Sequence, residues 1–465
     1  MDQVVAQDEA LHKEPRFRDA NLSGLIDVIK QRVVDSFYDR LFQRLLANAG
    51  WLLTSDVVAS GLGFTQTIIL ARVLGVEQFG VFALIQTYST TVNQFVDSRV
   101  WEAVVKFVTK FLEAQQATRA TAFVKLSYLI DAITGALAYF IALGTAEIAA
   151  RYIVKQPQAA GLIRLYALTI LVATPLGTST GLLKVFNRFD WIAYQNVVGG
   201  LFRLTGVVVA WSVEGGLRAI VWAYVLSAFL MTAGTLILSQ RASRAALTIP
   251  WRQAPVNSLK GERKEVAKFL LSTNGNALCK LLQRNADILL IGYFLTPVAV
   301  ACFRIARALT DMMAFPVNPL ETACYPEFVR LWHQEKKAEL RKLVWKLTFL
   351  AGTFAALGLT ILCIGGGLVI RLSVGREFLP ALSAVRWLAL AVAVAVATNF
   401  AYPLLLAVGR APATLLAIGL GVAVQIPLLF KLIPHDGIAG AALAYLIFYG
   451  VWVASVFHSA RDVVL

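Results

Sequence analysis

Apolar positions dominate the chain from residue 46 to its end, broken at intervals by short polar clusters. A helical window of roughly 20 apolar residues is long enough to cross a hydrocarbon core of about 30 Å. Twelve such windows lie near 47–72, 79–98, 122–145, 161–183, 193–213, 217–239, 267–292, 297–320, 345–370, 379–407, 411–432 and 437–458. The pattern predicts an all-α, polytopic membrane protein, with the second and seventh windows the most polar. Before residue 46 the pattern changes. Leu22, Leu25, Ile29, Val33, Phe37, Leu41 and Leu45 recur at helical spacing among charged residues, which predicts an amphipathic helix on the membrane surface; a solvated linker helix is the alternative. Nothing here has the short apolar core and small-residue cleavage site of a signal peptide, so the first window is expected to direct insertion.

The longest polar interruption, residues 241–268, splits the windows six and six. GLRAIVWAY at 216–224 matches GIAGAALAY at 437–445, and IILARVLGVEQFGVFAL at 68–84 matches ILLIGYFLTPVAVACFR at 288–304, at offsets of 221 and 220. A duplicated six-span unit follows, with an N-terminal segment over 1–45, bundles over 46–240 and 267–465, and a cytoplasmic linker over 241–266. Because six is even, both copies enter the membrane from the same side. Parallel repeats of this kind enclose a central cavity and can rock against each other.

Composition agrees: 58% of residues are hydrophobic and 15% charged, with a mean hydropathy of +0.67. The net charge of +15 suggests nucleic acid until its distribution is read. Basic residues gather after even-numbered windows: Arg99 to Lys125, Lys184 and Arg188, Arg241 to Lys268, Arg330 to Lys346, and Arg410. The opposite loops hold Arg72, Arg151, Lys155, Arg218, Arg371, Arg376 and Lys431, about a third as many. By the positive-inside rule both termini are cytoplasmic, and attraction to anionic membrane lipids accounts for the rest of the excess. No nucleic-acid partner is expected. Cys279, Cys302, Cys324 and Cys363 have no CxxC spacing and read as packing residues. There is no phosphate-loop motif, no HExxH and no ligand cluster around the histidines, which argues against an ATPase or metalloenzyme and calls for no cofactor or metal.

A Lys, Arg or Asp at mid-helix costs about 2.5 to 3.5 kcal/mol on insertion scales. Lys280, Arg284, Asp287, Arg304, Arg307 and Asp311 all fall in windows seven and eight. Exposing all of them to lipid would cost on the order of 15 to 20 kcal/mol, above the roughly 5 to 15 kcal/mol of a typical folding stability. They are expected to face protein or water. Positions 280, 284 and 287 share one helical face, as do 304, 307 and 311. If the chain turns near Leu295 and Thr296, antiparallel packing sets Asp287 level with Arg304, Arg284 with Arg307 and Lys280 with Asp311. The outer levels are then ion pairs, and the middle level is two guanidiniums suited to an anion between them. The alternative is pairing within each helix, Arg284 with Asp287 and Arg307 with Asp311. Arg203 in window five is a further cation, with Arg386 nearer a helix end. Asp56, Asp131, Asp287 and Asp311 are the acids that can take up a coupling proton. Six basic groups against four acids leave the interior cationic by two, which favours an anionic substrate. Gln86, Thr90 and Asn93, with Asp97, share a face of window two. They suit hydroxyl-rich cargo, or a helix-packing interface.

ARVLGVEQFGVFAL at 71–84, ADILLIGYFL at 286–295 and AVACFRIARAL at 299–309 carry a family likeness. From about residue 45 onward the chain resembles the polysaccharide flippases of the multidrug/oligosaccharidyl-lipid/polysaccharide exporter superfamily. The resemblance implies a cationic central cavity that moves lipid-linked oligosaccharides, typically carried on undecaprenyl pyrophosphate, from the cytoplasmic to the periplasmic leaflet, in many members with proton coupling. It implies pyrophosphate for the arginine level and sugar for the polar face of window two. A polysaccharide polymerase and glycosyltransferases of the same pathway are the expected partners. The chain departs from the family pattern at Thr296 and Pro297, where a Gly-containing turn is frequent, and in its N-terminal segment. Two alternatives remain. A multidrug exporter of the superfamily favours an acid-dominated cavity, and a membrane-embedded polymerase or ligase usually carries a large periplasmic loop.

Overall fold

The structure, a computed structural model, describes residues 40–244, 246–247 and 254–464. Of the amphipathic segment predicted before residue 46, only residues 40–45 lie within them, and these are helical. Fourteen α-helices follow in order among the described residues: α1 Arg40–Val96, α2 Val100–Glu113, α3 Ala117–Tyr152, α4 Ala159–Ala173, α5 Leu176–Val185, α6 Phe189–Ser212 and α7 Gly216–Ser243; then α8 Arg263–Phe294, α9 Pro297–Asp311, α10 Asn318–His333, α11 Lys337–Ser373, α12 Leu382–Ala397, α13 Ala401–Ala407 and α14 Ala411–Val464. A short 3-10 helix, Val256–Glu262, leads into α8, and another, Arg376–Ala381, leads into α12.

Among the described residues, eight stretches are long and apolar enough to cross a membrane. Two of them turn back on themselves: α1 breaks at Gly75 (φ 70°) and α14 at Gly437 (φ 60°), left-handed values open to glycine because it has no Cβ. That makes ten crossings. The charge-striped α8 and the short α9 supply the seventh and eighth spans, and so twelve in all. The same succession of elements occurs twice. Turn residues with positive φ pair as Gln115 with Glu335, Lys155 with Gly375, Asn187 with Gly409 and Gly216 with Gly437, at separations of 220, 220, 222 and 221 residues. Helices α2 to α7 pack among themselves, as do α8 to α14; the result is two parallel six-span bundles.

The segment after window two is not a loop. It forms α2, with Val100, Ala103, Val104, Phe107, Val108 and Phe111 buried against α3 and α5, and α10 holds the corresponding place in the second bundle. Both helices are too short and too charged to register as spans.

The bundles close on each other at one end. Phe79 meets Phe378 edge to face, ring centroids 6.1 Å apart. Arg72 donates to the carbonyl of Ser373 at 2.5 Å and to that of Leu372. A side chain on Gly80 would collide with the Pro297 carbonyl. All lie beside the turns at Gly75, Leu295 and Gly375. At the opposite end the start of α8 is tied to the first bundle, Glu265 to Lys106 and Lys110, and Glu262 to Arg119.

Candidate functional site

The site is built on the α8–α9 hairpin. Thr296 accepts a hydrogen bond from the Ala299 amide at 3.4 Å, and Pro297 occupies the first helical turn, where its missing N–H is no loss. Thr-Pro thus makes the turn at Leu295 and Thr296 without glycine. Arg284 lies eleven residues before Leu295 and Arg304 nine after it. At a rise of 1.5 Å per residue both sit about 14 to 16 Å from that end, near the middle of a bilayer.

The register places Arg307 against Asp287, where the spacing had set Arg304. Arg307 Nη1 donates to the Asp287 carboxylate at 2.9 and 3.2 Å and to the Arg284 carbonyl at 2.7 Å. Its Nη2 reaches the Tyr445 hydroxyl at 3.4 Å. Asp287 is 1% and Arg307 9% exposed, so this is a closed structural pair, and neither arginine–aspartate pairing within a single helix forms. Arg304 donates to Gln86 Oε1 at 2.9 Å. Arg284 and Asp311 are exposed, and neither the Arg284 guanidinium nor the Asp311 carboxylate has a hydrogen bond or ion pair to any described residue. Lys280 sits 5.7 Å from the centre of the Tyr402 ring. The two-arginine level therefore changes partners: Arg307 is occupied, and Arg284 shares its cavity with Arg304.

That cavity, about 320 Å³, lies between the bundles. Ser60, Gly63, Phe64 and Thr67 of α1 form one wall, and Arg284, Asn285, Arg304, Arg307 and Asp311 the other. A second cavity of about 430 Å³ opens within the last six spans and shares Arg284 and Asp311 with the first. A third, about 310 Å³, lies within the first six spans and is lined by Asn93, Asp97, Trp101, Asp131 and Lys184 among others.

The remaining sequence candidates scatter. Asp131 is buried, and its carboxylate accepts from the Thr178 amide at 2.9 Å and the Thr178 hydroxyl at 2.6 Å. It thereby caps the start of α5, which the break at Pro175 leaves open. Asp56 and Arg386 are exposed. Arg203 donates back to the Gly199 carbonyl at 3.4 Å and is absent from the lining of all three cavities, as is Thr90. The polar face of window two divides, Gln86 serving Arg304 and Asn93 turning into the third cavity. Sequence reading missed Glu321, Asn399 and the aromatic positions of the second cavity. Their signal was present: Tyr445, Phe448, Tyr449 and Trp452 fall at i, i+3, i+4 and i+7 on one helical face.

Comparison with known proteins gives concordant likenesses. The sequence profile of a family described as polysaccharide biosynthesis protein matches residues 45–332. Inner membrane protein YghQ of Escherichia coli (strain K12) is 26% identical over 347 residues, covering 74% of this chain and 96% of the relative. Among solved structures, a multidrug resistance MATE family transporter of the MOP superfamily in an inward-facing conformation superposes with a TM-score of 0.73 at 11% identity, over 87% of this chain and 94% of that one. The lipid II flippase MurJ in an inward closed conformation gives 0.71 at 13% identity, over 88% and 87%.

Proposed function

The chain belongs to the polysaccharide biosynthesis protein family, and from that premise we propose that it is a flippase moving an anionic lipid-linked oligosaccharide across the cytoplasmic membrane by alternating access. The observation that carries this reading is Arg284, a guanidinium at mid-membrane depth that opens on the inter-bundle cavity with no partner among the described residues. An unpaired charge at that depth is costly, and two oxygens of a phosphate can accept bidentately from the planar guanidinium and remove the cost. Arg304 supplies further donors from the facing helix, since only one of its nitrogens is engaged by Gln86. Arg307 and Asp287 hold the two helices in register. A drug cation finds no comparable partner, because Asp311 is the one acid of this cavity lining and two arginines oppose it. Multidrug export is the weaker reading for that reason.

The basic loops put both termini in the cytoplasm, so the closed end is periplasmic and the cavity loads from the cytoplasmic side. Asp311, unpaired in the same cavity, is the acid placed to exchange a proton as the anion leaves and so to couple transport to an ion gradient. Glycosyltransferases would supply the substrate and a polymerase consume it. The test is reconstitution in vesicles, following the passage of lipid-linked oligosaccharide with and without a pH gradient. Losing one charge-assisted contact of about 1.5 to 3 kcal/mol lowers binding roughly 10- to 100-fold. Arg284→Ala is expected to show that loss and Arg284→Lys a smaller one. Transport by Arg284→Ala at the wild-type rate would sink the phosphate assignment.

A further inference from the structure

Resting on that flippase reading, we propose that the cavity inside the last six spans is a carbohydrate subsite, which holds the first sugars of the cargo while Arg284 and Arg304 hold its phosphate. Its wall is an aromatic ladder on the second half of α14. Tyr445 and Tyr449 stand 5.1 Å apart, Phe448 and Tyr449 5.1 Å, and Tyr449 and Trp452 6.4 Å by ring centroids. Tyr402 lines the same cavity from α13. Between them lie polar groups with capacity to spare. Asn399 donates to Glu321 at 2.8 Å, leaving the Asn399 carbonyl and the second Glu321 oxygen for a ligand, and Lys280 lines the same space.

That combination fits a sugar and fits the other candidates poorly. A sugar ring has C–H faces that pack on aromatic rings and a rim of hydroxyls that must find partners once out of water. Polyprenyl chain seated here would bury Lys280, Glu321 and Asn399 against hydrocarbon, at a large desolvation cost. A bare phosphate has no use for an aromatic wall. The two cavities meet at Arg284 and Asp311, so one molecule with a phosphate beside its first sugar spans both.

The first bundle supplies an internal control. At an offset of 221, Tyr445 corresponds to Tyr224, but Phe448, Tyr449 and Trp452 correspond to Ser227, Ala228 and Met231. The same helix folds there without the ladder, so the ladder is not a requirement of the fold. The counterpart cavity has Trp101, whose ring is covered by Lys184 at 3.6 Å.

The experiment uses the full chain in lipid nanodiscs and a panel of polyprenyl pyrophosphates carrying no sugar, one neutral hexose or two. Wild type is expected to bind the glycosylated members at least tenfold tighter than the bare one. Tyr402→Ala and Trp452→Ala are expected to bring them to the bare level while leaving the bare lipid unchanged. Trp452→Phe keeps a ring and should keep most of the preference, which separates lost stacking from lost folding. Arg284→Ala should weaken every member by the same factor. A preference that survives both alanine variants overturns the subsite, as does a wild type without any preference. If the bare lipid binds and depends on Arg284, the flippase reading outlives that result; if no member of the panel binds, both fall.

Discussion

Asp287 and Arg307 show what a charge inside a membrane span requires. Each is buried, and their acceptors and donors are used: Asp287 takes Arg307 and the Ile288 amide at 2.7 Å, and Arg307 takes Asp287, the Arg284 carbonyl and Tyr445. Removing one partner strands the other charge in a low dielectric, which costs about 3 to 5 kcal/mol, whereas removing both strands nothing. Asp287→Ala and Arg307→Ala are therefore each expected to destabilise by about that amount, and the double variant by clearly less than the sum. Unfolding in detergent, followed by denaturant titration, checks this; additive losses would mean that the pair does not act as a unit. The sequence made plain that these charges need partners and left open which ones. Arg304 finds Gln86 across 218 positions of chain, and Asp131 caps a helix start 47 positions away. Partners at such separations are set by the tertiary register, which local periodicity does not contain.

The spans themselves were legible because a long apolar run has few other physical solutions. The amphipathic helix α2 was not, since its charged residues broke the run and its apolar face repeats over only fourteen residues. Its role appears in its contacts. Lys106 and Lys110 donate to the two oxygens of Glu265 at 3.1 and 3.3 Å, tying the start of the arginine-bearing α8 to the first bundle, and the Phe107 and Phe269 rings meet edge to face beside them. These hydrogen bonds hold the Glu265 carboxyl below its ordinary range. A carboxylate whose folded value lies below its unfolded value, about 4.3, stabilises fully above the unfolded value and loses that contribution as pH falls through the folded one. Protection of the amides at the start of α8, taken relative to their intrinsic exchange rates, is thus expected to fall as pH drops below the ordinary carboxylate range. Glu265→Gln should exchange faster already at neutral pH and show little further acid response. The groups are exposed, so added salt should weaken the tie. An acid response unchanged in Glu265→Gln would place the titration elsewhere.

Two copies of one six-span unit have diverged in chemistry while keeping their turns. Arg284, Asp287, Arg304 and Arg307 correspond at an offset of 220 to Phe64, Thr67, Leu84 and Thr87, so the charge sits in one copy and faces α1 of the other across the cavity. The offset was readable in the sequence; which faces meet was not, because that depends on how the copies pack. On the proposed alternating-access reading, the cavity delivers its cargo only if the closed end opens. At that end Phe79 belongs to the first bundle and Phe378 to the second, with ring centroids 6.1 Å apart. Phe79→Cys and Phe378→Cys, placed together in a chain freed of Cys279, Cys302, Cys324 and Cys363, give two thiols that a short, reducible bifunctional reagent can bridge. Bridging is expected to stop transport while leaving substrate binding from the open side intact, and reduction should restore transport. Either single-cysteine chain should be indifferent to the reagent. A fully bridged protein that still carried substrate across would show that this end does not open during transport, and a rocking mechanism through it would have to be abandoned.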